Sequence, residues 1–138
     1  MRGNWSNQPK RAQGFTLIEL LIVVAIIGII VSIAVPALLA SRAQAVHARG
    51  QAMLYAVRAA EYAYQGRFGE FGDFSELTAP IPFLDRRFAG GGEGPVNDKG
   101  FIFLFTVPPE LDVYELTLTL PDGRRMRLQQ DGTIKDLP

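Results

Sequence analysis

The chain has 138 residues, with 14 Lys and Arg against 14 Asp and Glu, and no cysteine. That length suits one domain plus one membrane span. Zero net charge makes no whole-protein case for nucleic-acid binding, and the lack of cysteine excludes disulfides and thiolate metal sites.

Residues 1–14 are polar, with Gly3, Asn4, Pro9 and Gly14 interrupting any pattern, and read as a disordered leader. They carry Arg2, Lys10 and Arg11 and no acid; without them, eleven basic side chains face fourteen acidic ones. A basic flank of this kind holds the N-terminal side of a span in the cytoplasm.

Residues 14–40 read GFTLIELLIVVAIIGIIVSIAVPALLA, and residues 20–41 hold no charge. At about 1.5 Å per residue, a helix of that length covers the roughly 30 Å of a bilayer's hydrocarbon layer. The pattern predicts a helix from Phe15 to about Gln65, interrupted by Gly28 and by Pro36, which removes a backbone donor and favours a kink or local unwinding. Glu19 stands inside the apolar run, where a charge at mid-membrane depth costs about 2.5–3.5 kcal/mol. One reading is local: Thr16-x-x-Glu19 fits a capping box, and an acid in the first turn suits the helix dipole.

In residues 41–65 the character changes. Val46, Met53, Val57, Ala60 and Tyr64 form one apolar stripe, with Arg42, Arg49, Arg58 and Glu61 mostly off it. Gly66 is the expected stop. Residues 66–100 are rich in glycine and read as an irregular connection. A short helical turn is expected near Phe74–Thr78, started with help from Ser75, and Gly90-Gly91-Gly92 with Gly94-Pro95 as a mobile tip.

From Phe101 the period is two. Phe101, Phe103, Phe105 and Val107 share one face of a strand with Ile102 and Leu104 opposite, so cover is expected on both sides. Tyr114, Leu116, Leu118 and Leu120 alternate with polar residues, as do Met126 and Leu128. Pro121-Asp122-Gly123 and Asp131-Gly132 supply turns. The fold class is α+β: a long N-terminal transmembrane or spine helix packed on a C-terminal antiparallel meander of three or four strands.

Few residues suggest other chemistry. His47 stands without a second histidine, so it reads as a solvated helix residue and no metal site is expected. The triple glycine lacks the Gly-Lys-Ser/Thr ending of a phosphate loop. Arg124, Arg125 and Arg127 form a small basic cluster, readable as a DNA contact or as a charged edge-strand face. Tyr55, Tyr62, Tyr64, Phe68, Phe71 and Phe74 are mostly assigned to the core. No nucleophile–base set or catalytic carboxylate pair can be assembled, so an enzyme is not expected and no cofactor is called for.

Gly14-Phe15-Thr16-Leu17-Ile18-Glu19-Leu20, followed by an apolar helix with Gly28 and Pro36, resembles the class III prepilin signature of type IV pilins and type II secretion pseudopilins. An ordinary signal-peptidase cut near Ala43-Gln44-Ala45 fits poorly, because the apolar run exceeds an h-region of roughly 7–15 residues. The resemblance implies cleavage between Gly14 and Phe15 by a membrane aspartyl peptidase, methylation of the Phe15 amine, and a pilin fold. It implies three segments: a cleaved leader 1–14, a transmembrane and filament-core helix 15–40, and a periplasmic or extracellular head 41–138. The head comprises helix 41–65, connection 66–100 and sheet 101–138.

In that frame Glu19 pairs with the Phe15 amine of a neighbouring copy, because a capping box has little preceding chain left to act on after the cut. Either charge left alone in a low-dielectric core is costly. Gly28 and Pro36 bracket the part that loses helicity in assembled pilins. The implied function is a structural subunit of a type IV pilus-like filament, inserted once in the inner membrane with its N-terminus cytoplasmic and then moved to the surface. The implied partners are copies of itself, the peptidase/methyltransferase, an assembly platform with an ATPase motor, and membrane lipid. A type II secretion pseudopilin, or a minor pilin acting as an anchored DNA- or ligand-binding module, stays open. Nucleic acid as a partner has no support in the composition. The pseudopilin Tyr-Pro-Thr is absent where Arg67-Phe68-Gly69-Glu70-Phe71-Gly72-Asp73 stands, and no clustered aspartates suggest calcium.

Overall fold

A computed structural model of the chain describes residues 14–109 and 113–138. The leader assigned to residues 1–14 lies outside them, apart from Gly14. The chain divides into two compact units, Met1–Leu39 and Ala40–Pro138, and one helix, α1 (Leu17–Phe68), contributes to both.

Helix α1 starts two residues after Phe15 and passes through Gly66, which is helical. It stops where the backbone needs a left-handed residue: Gly69 has φ 81°, and its amide donates to the Gln65 carbonyl at 2.8 Å. Gly28 and Pro36 both lie within α1, so the single chain has no unwound stretch at either. The Ser32 hydroxyl donates to the Ile29 carbonyl at 2.7 Å, which satisfies a polar group that hydrocarbon could not.

In the first unit every described residue is exposed, including the whole run of Leu, Ile and Val side chains. A helix apolar all round and without cover is built to lie in lipid or among other helices.

In the second unit α1 buries Gly50, Met53, Leu54, Val57, Ala60, Glu61 and Tyr64. The stripe read from the sequence is therefore present, with Val46 only half-buried and with Leu54 and Glu61 added. Gly50 permits close approach to the sheet: a β-carbon there would lie 3.0 Å from Met126 Cε.

The sheet is an antiparallel meander in sequence order: β1 (Val96–Asp98), β2 (Phe101–Val107), β3 (Glu115–Thr119), β4 (Arg125–Gln129) and β5 (Ile134–Leu137). It has five strands instead of three or four, because β1 and β5 are too short to display a period. Its register sets Phe103 opposite Leu118 and Leu118 opposite Met126, which gathers the apolar side chains on the inner face. Cover comes on that face alone. Phe101, Phe103 and Phe105 are buried, whereas Ile102 and Leu104 are 38% and 41% exposed beside Thr119 and Thr117. A register irregularity between Phe105 and Val107 takes Val107 off the inner face, leaving it exposed.

The connection is more ordered than its composition suggests. Helix α2 (Phe74–Thr78) is capped by Asp73, not Ser75, in a box with Glu76. Ser75 instead accepts from the Gly92 amide at 3.1 Å, and Gly92 returns its carbonyl to the Phe74 amide at 3.0 Å. A β-carbon on Gly91 would collide with Val96 Cγ2. Gly91 and Gly92 are thus packed against β1 and α2, while Gly90 is exposed and meets nothing within 4 Å. Of the six aromatic residues, Tyr64, Phe71 and Phe74 are core, while Tyr55, Tyr62 and Phe68 are exposed.

Candidate functional site

The residues singled out at the N-terminal end come together around the start of α1. Gly14, Phe15 and Thr16 precede the first helical residue and are not helical, and Phe15 is 87% exposed. The peptide bond between Gly14 and Phe15 is therefore in backbone that a peptidase can take up extended. A β-carbon built on Gly14 meets nothing within 4 Å, so the fold itself does not require glycine there.

Glu19 sits in the first turn of α1. Its Oε2 accepts from the Thr16 amide at 3.1 Å and from the Thr16 hydroxyl at 3.0 Å, while the Glu19 amide donates to Thr16 Oγ1 at 3.2 Å. This is the reciprocal capping box, fully formed. The expectation that cleavage would strip such a box of partners needs correcting, because both donors belong to Thr16, beyond the Gly14–Phe15 bond. The described hydrogen bonds use Oε2 and leave Oε1 to other partners. Gly14, Phe15, Thr16 and Glu19 line one open concavity.

Gly28 and Pro36 lie further along the exposed helix, and a β-carbon on Gly28 meets nothing within 4 Å. A glycine that no contact within its own chain demands fits close approach by another helix.

Elsewhere several charged side chains have partners on the head. Arg124 pairs with Asp122 at 2.7 Å and donates to the Ala43 carbonyl, Arg127 lies 3.4 Å from Glu115, and Arg125 donates to the Pro138 carbonyl. The Arg124 partnership holds the Asp122 carboxyl below its ordinary range. His47 is not simply solvated: its Nε2 lies 2.9 Å from Asp136 Oδ1, tying α1 to β5. No group of three or more potential metal ligands occurs among the described residues.

Residues 9–35 match the family model described as the prokaryotic N-terminal methylation motif. The chain is 38% identical over 78 residues to the type IV major pilin protein PilA of Myxococcus xanthus, and 56% identical over 50 residues to the type IV narrow pilus major component PilA5 of Thermus thermophilus.

Over part of its length the chain is similar to type IV pilins.

The two alignments cover 56% and 36% of this chain, but only 36% and 43% of the relatives. It thus spans less than half the length of either. No solved structure matches it significantly. The relatives are named as a major pilin and as the major component of a narrow pilus, and the long apolar helix with its antiparallel sheet is an α+β layout.

Proposed function

We infer that the chain is a structural subunit of a type IV pilus-like filament, made as a single-span inner-membrane precursor with its N-terminus in the cytoplasm. A peptidase adds water across the Gly14–Phe15 bond, leaving a carboxylate on Gly14 and an ammonium on Phe15, which is then methylated. Residues 15–40 anchor the mature subunit in lipid and then line the filament interior, with residues 41–138 as the surface head. An assembly platform and its motor drive the exchange, as the resemblance to type IV pilins implies.

One observation carries this reading: the apolar first part of α1, exposed through residue 39 and preceded by Gly14 and Phe15, with Glu19 in its first turn. Taking that surface out of lipid requires an equally apolar alternative, and copies of the same helix supply it. The Glu19 carboxylate then meets the Phe15 ammonium of a neighbouring copy. In a low-dielectric bundle such a pair fixes the stagger, because every other register leaves both charges without a partner. Gly28 and Pro36 supply a site where the packed helix can give up regular hydrogen bonds.

A pilin is favoured over a pseudopilin by the absence of Tyr-Pro-Thr after α1 and by major pilins among the relatives. The DNA-binding alternative would rest on Arg124, Arg125 and Arg127, of which Arg124 lies against Asp122 and Arg127 against Glu115. The deciding experiment is purification of surface filaments from the native cell. Mass spectrometry should find this chain, beginning at methylated Phe15, as a filament component. Filaments lacking it, or a mature chain beginning elsewhere, would end the proposal.

A further inference from the structure

Glu61 is a carboxyl group placed where a carboxylate does not belong. It lies on the sheet-facing side of α1 with no exposed surface. Its Oε2 accepts from the Gly72 amide at 3.1 Å, and its Oε1 has no hydrogen-bond partner among the described residues. The other buried oxygen left in this state nearby is Tyr114 Oη, just ahead of β3. Tyr114 meets Phe71 edge-on at 4.7 Å, and Phe71 in turn lies 6.5 Å from Tyr62. Glu61, the turn at residues 69–73 and Tyr114 are therefore one packed cluster.

The charged groups around it make ionisation worse. Asp73 and Glu76, at the start of α2, disfavour the carboxylate, and Tyr64 on α1 is itself pushed up by burial and by the surrounding acids, Glu61 among them. Arg58, one turn earlier, is directed to the Gly132 carbonyl at 3.3 Å and to the Tyr62 ring. Burial, opposed only by the Gly72 hydrogen bond, pushes the Glu61 carboxyl up to about 8.

We propose that Glu61 is a protonation-controlled latch: as the neutral acid it holds the turn at residues 69–73 against α1, and losing its proton releases that turn. The released turn carries Phe71, only 5% exposed when closed, toward solvent. Gly72 is bound tightly to the closed state, since a β-carbon there would lie 3.0 Å from the Tyr64 ring.

Linkage gives the form of the response. In the open turn the carboxyl meets water and ionises near its ordinary value of 4.5, whereas in the closed turn it holds its proton to about 8. Between those two values the open population rises about tenfold per pH unit, and above the upper one it levels off.

The test uses the full chain in detergent micelles, labelled at glutamate carboxyl carbons and backbone amides. The Glu61 carboxyl resonance should titrate near pH 8 and apart from the other glutamates. Protection of the Gly72 amide, after correction for base-catalysed exchange, should fall about tenfold per unit between pH 6 and 8. In Glu61→Gln, which keeps an acceptor for Gly72, protection should be flat. A Glu61 resonance titrating with the other glutamates would overturn the proposal. So would Gly72 protection that is flat in the native chain, or that falls equally in the variant. If Glu61→Gln does not fold, the two native-chain measurements decide the matter.

Discussion

Glu19 closes a reciprocal capping box with Thr16 through a single carboxylate oxygen, Oε2, which receives both the Thr16 amide and the Thr16 hydroxyl. The local and the intersubunit roles of Glu19 are thus compatible. The box orients the carboxylate at the helix start, and Oε1 can meet an amine from another chain. Thr16 lies beyond the proposed cut after Gly14, so a chain beginning at Phe15 would keep this cap.

Replacing Glu19 by Ala removes one member of the proposed pair and leaves the Phe15 ammonium alone in the bundle. A buried charge deprived of its partner costs about 3–5 kcal/mol. Membrane insertion should become easier, not harder, because a polar group has left the span. The expected outcome is normal or raised membrane-bound subunit with at least about tenfold fewer sheared filaments, measured by immunoblot of both fractions.

Gly14→Leu separates processing from folding. A side chain at Gly14 meets nothing in the chain, so the head should fold as before. Intact-mass measurement on the membrane fraction should find residues 1–14 still attached. Cleavage at the native rate would show that the peptidase does not read this glycine.

Gly91→Ala should destabilise the head by about 1–3 kcal/mol, read as a lower thermal midpoint. Its β-carbon would meet Val96 Cγ2, and Val96 is buried in β1 with no room to move. Gly123→Ala is a useful contrast: it meets no atom, and its cost comes only from a backbone φ of 87°.

Stability of the head should fall as pH rises from about 4.5 to about 8, by an amount on the order of a few kcal/mol. In that window the unfolded chain has given up the Glu61 proton while the folded chain keeps it, so the unfolded state gains. Asp85, Asp122 and Asp131 act with opposite sign: hydrogen bonds from Arg87, Arg124 and Thr133 respectively lower them, so what they contribute is lost only as pH falls below the ordinary carboxylate range. Thermal melts should therefore place maximum stability in mildly acidic solution, and Glu61→Gln should flatten the upper limb.

Residues with strong periodicity were the legible ones. The apolar run of residues 20–41, the stripe through Met53, Val57, Ala60 and Tyr64, and the alternation about Leu116 and Leu118 each imply one element and one buried face. Short elements were not legible, because three residues of β1 or four of β5 cannot express a period. The packing of Gly91 is not legible because composition reports freedom of φ and says nothing about a neighbour such as Val96 that needs the space. Glu61 did leave a signal: it lies four residues after Val57 and three before Tyr64, an acid on the apolar stripe. His47 could not have been paired with Asp136 from spacing, since 89 positions separate them and the sheet alone brings them together. In the site itself, Gly14, Phe15 and Glu19 were visible as a motif, whereas the sharing of one Glu19 oxygen by two Thr16 donors needed coordinates.

The most direct measurement is a reconstruction of the native filament at a resolution that shows side chains. The account predicts the Glu19 carboxylate within about 4 Å of the Phe15 amine of another copy, with residues 15–40 packed at the centre. A map in which that carboxylate faces no nitrogen of any other chain would contradict it.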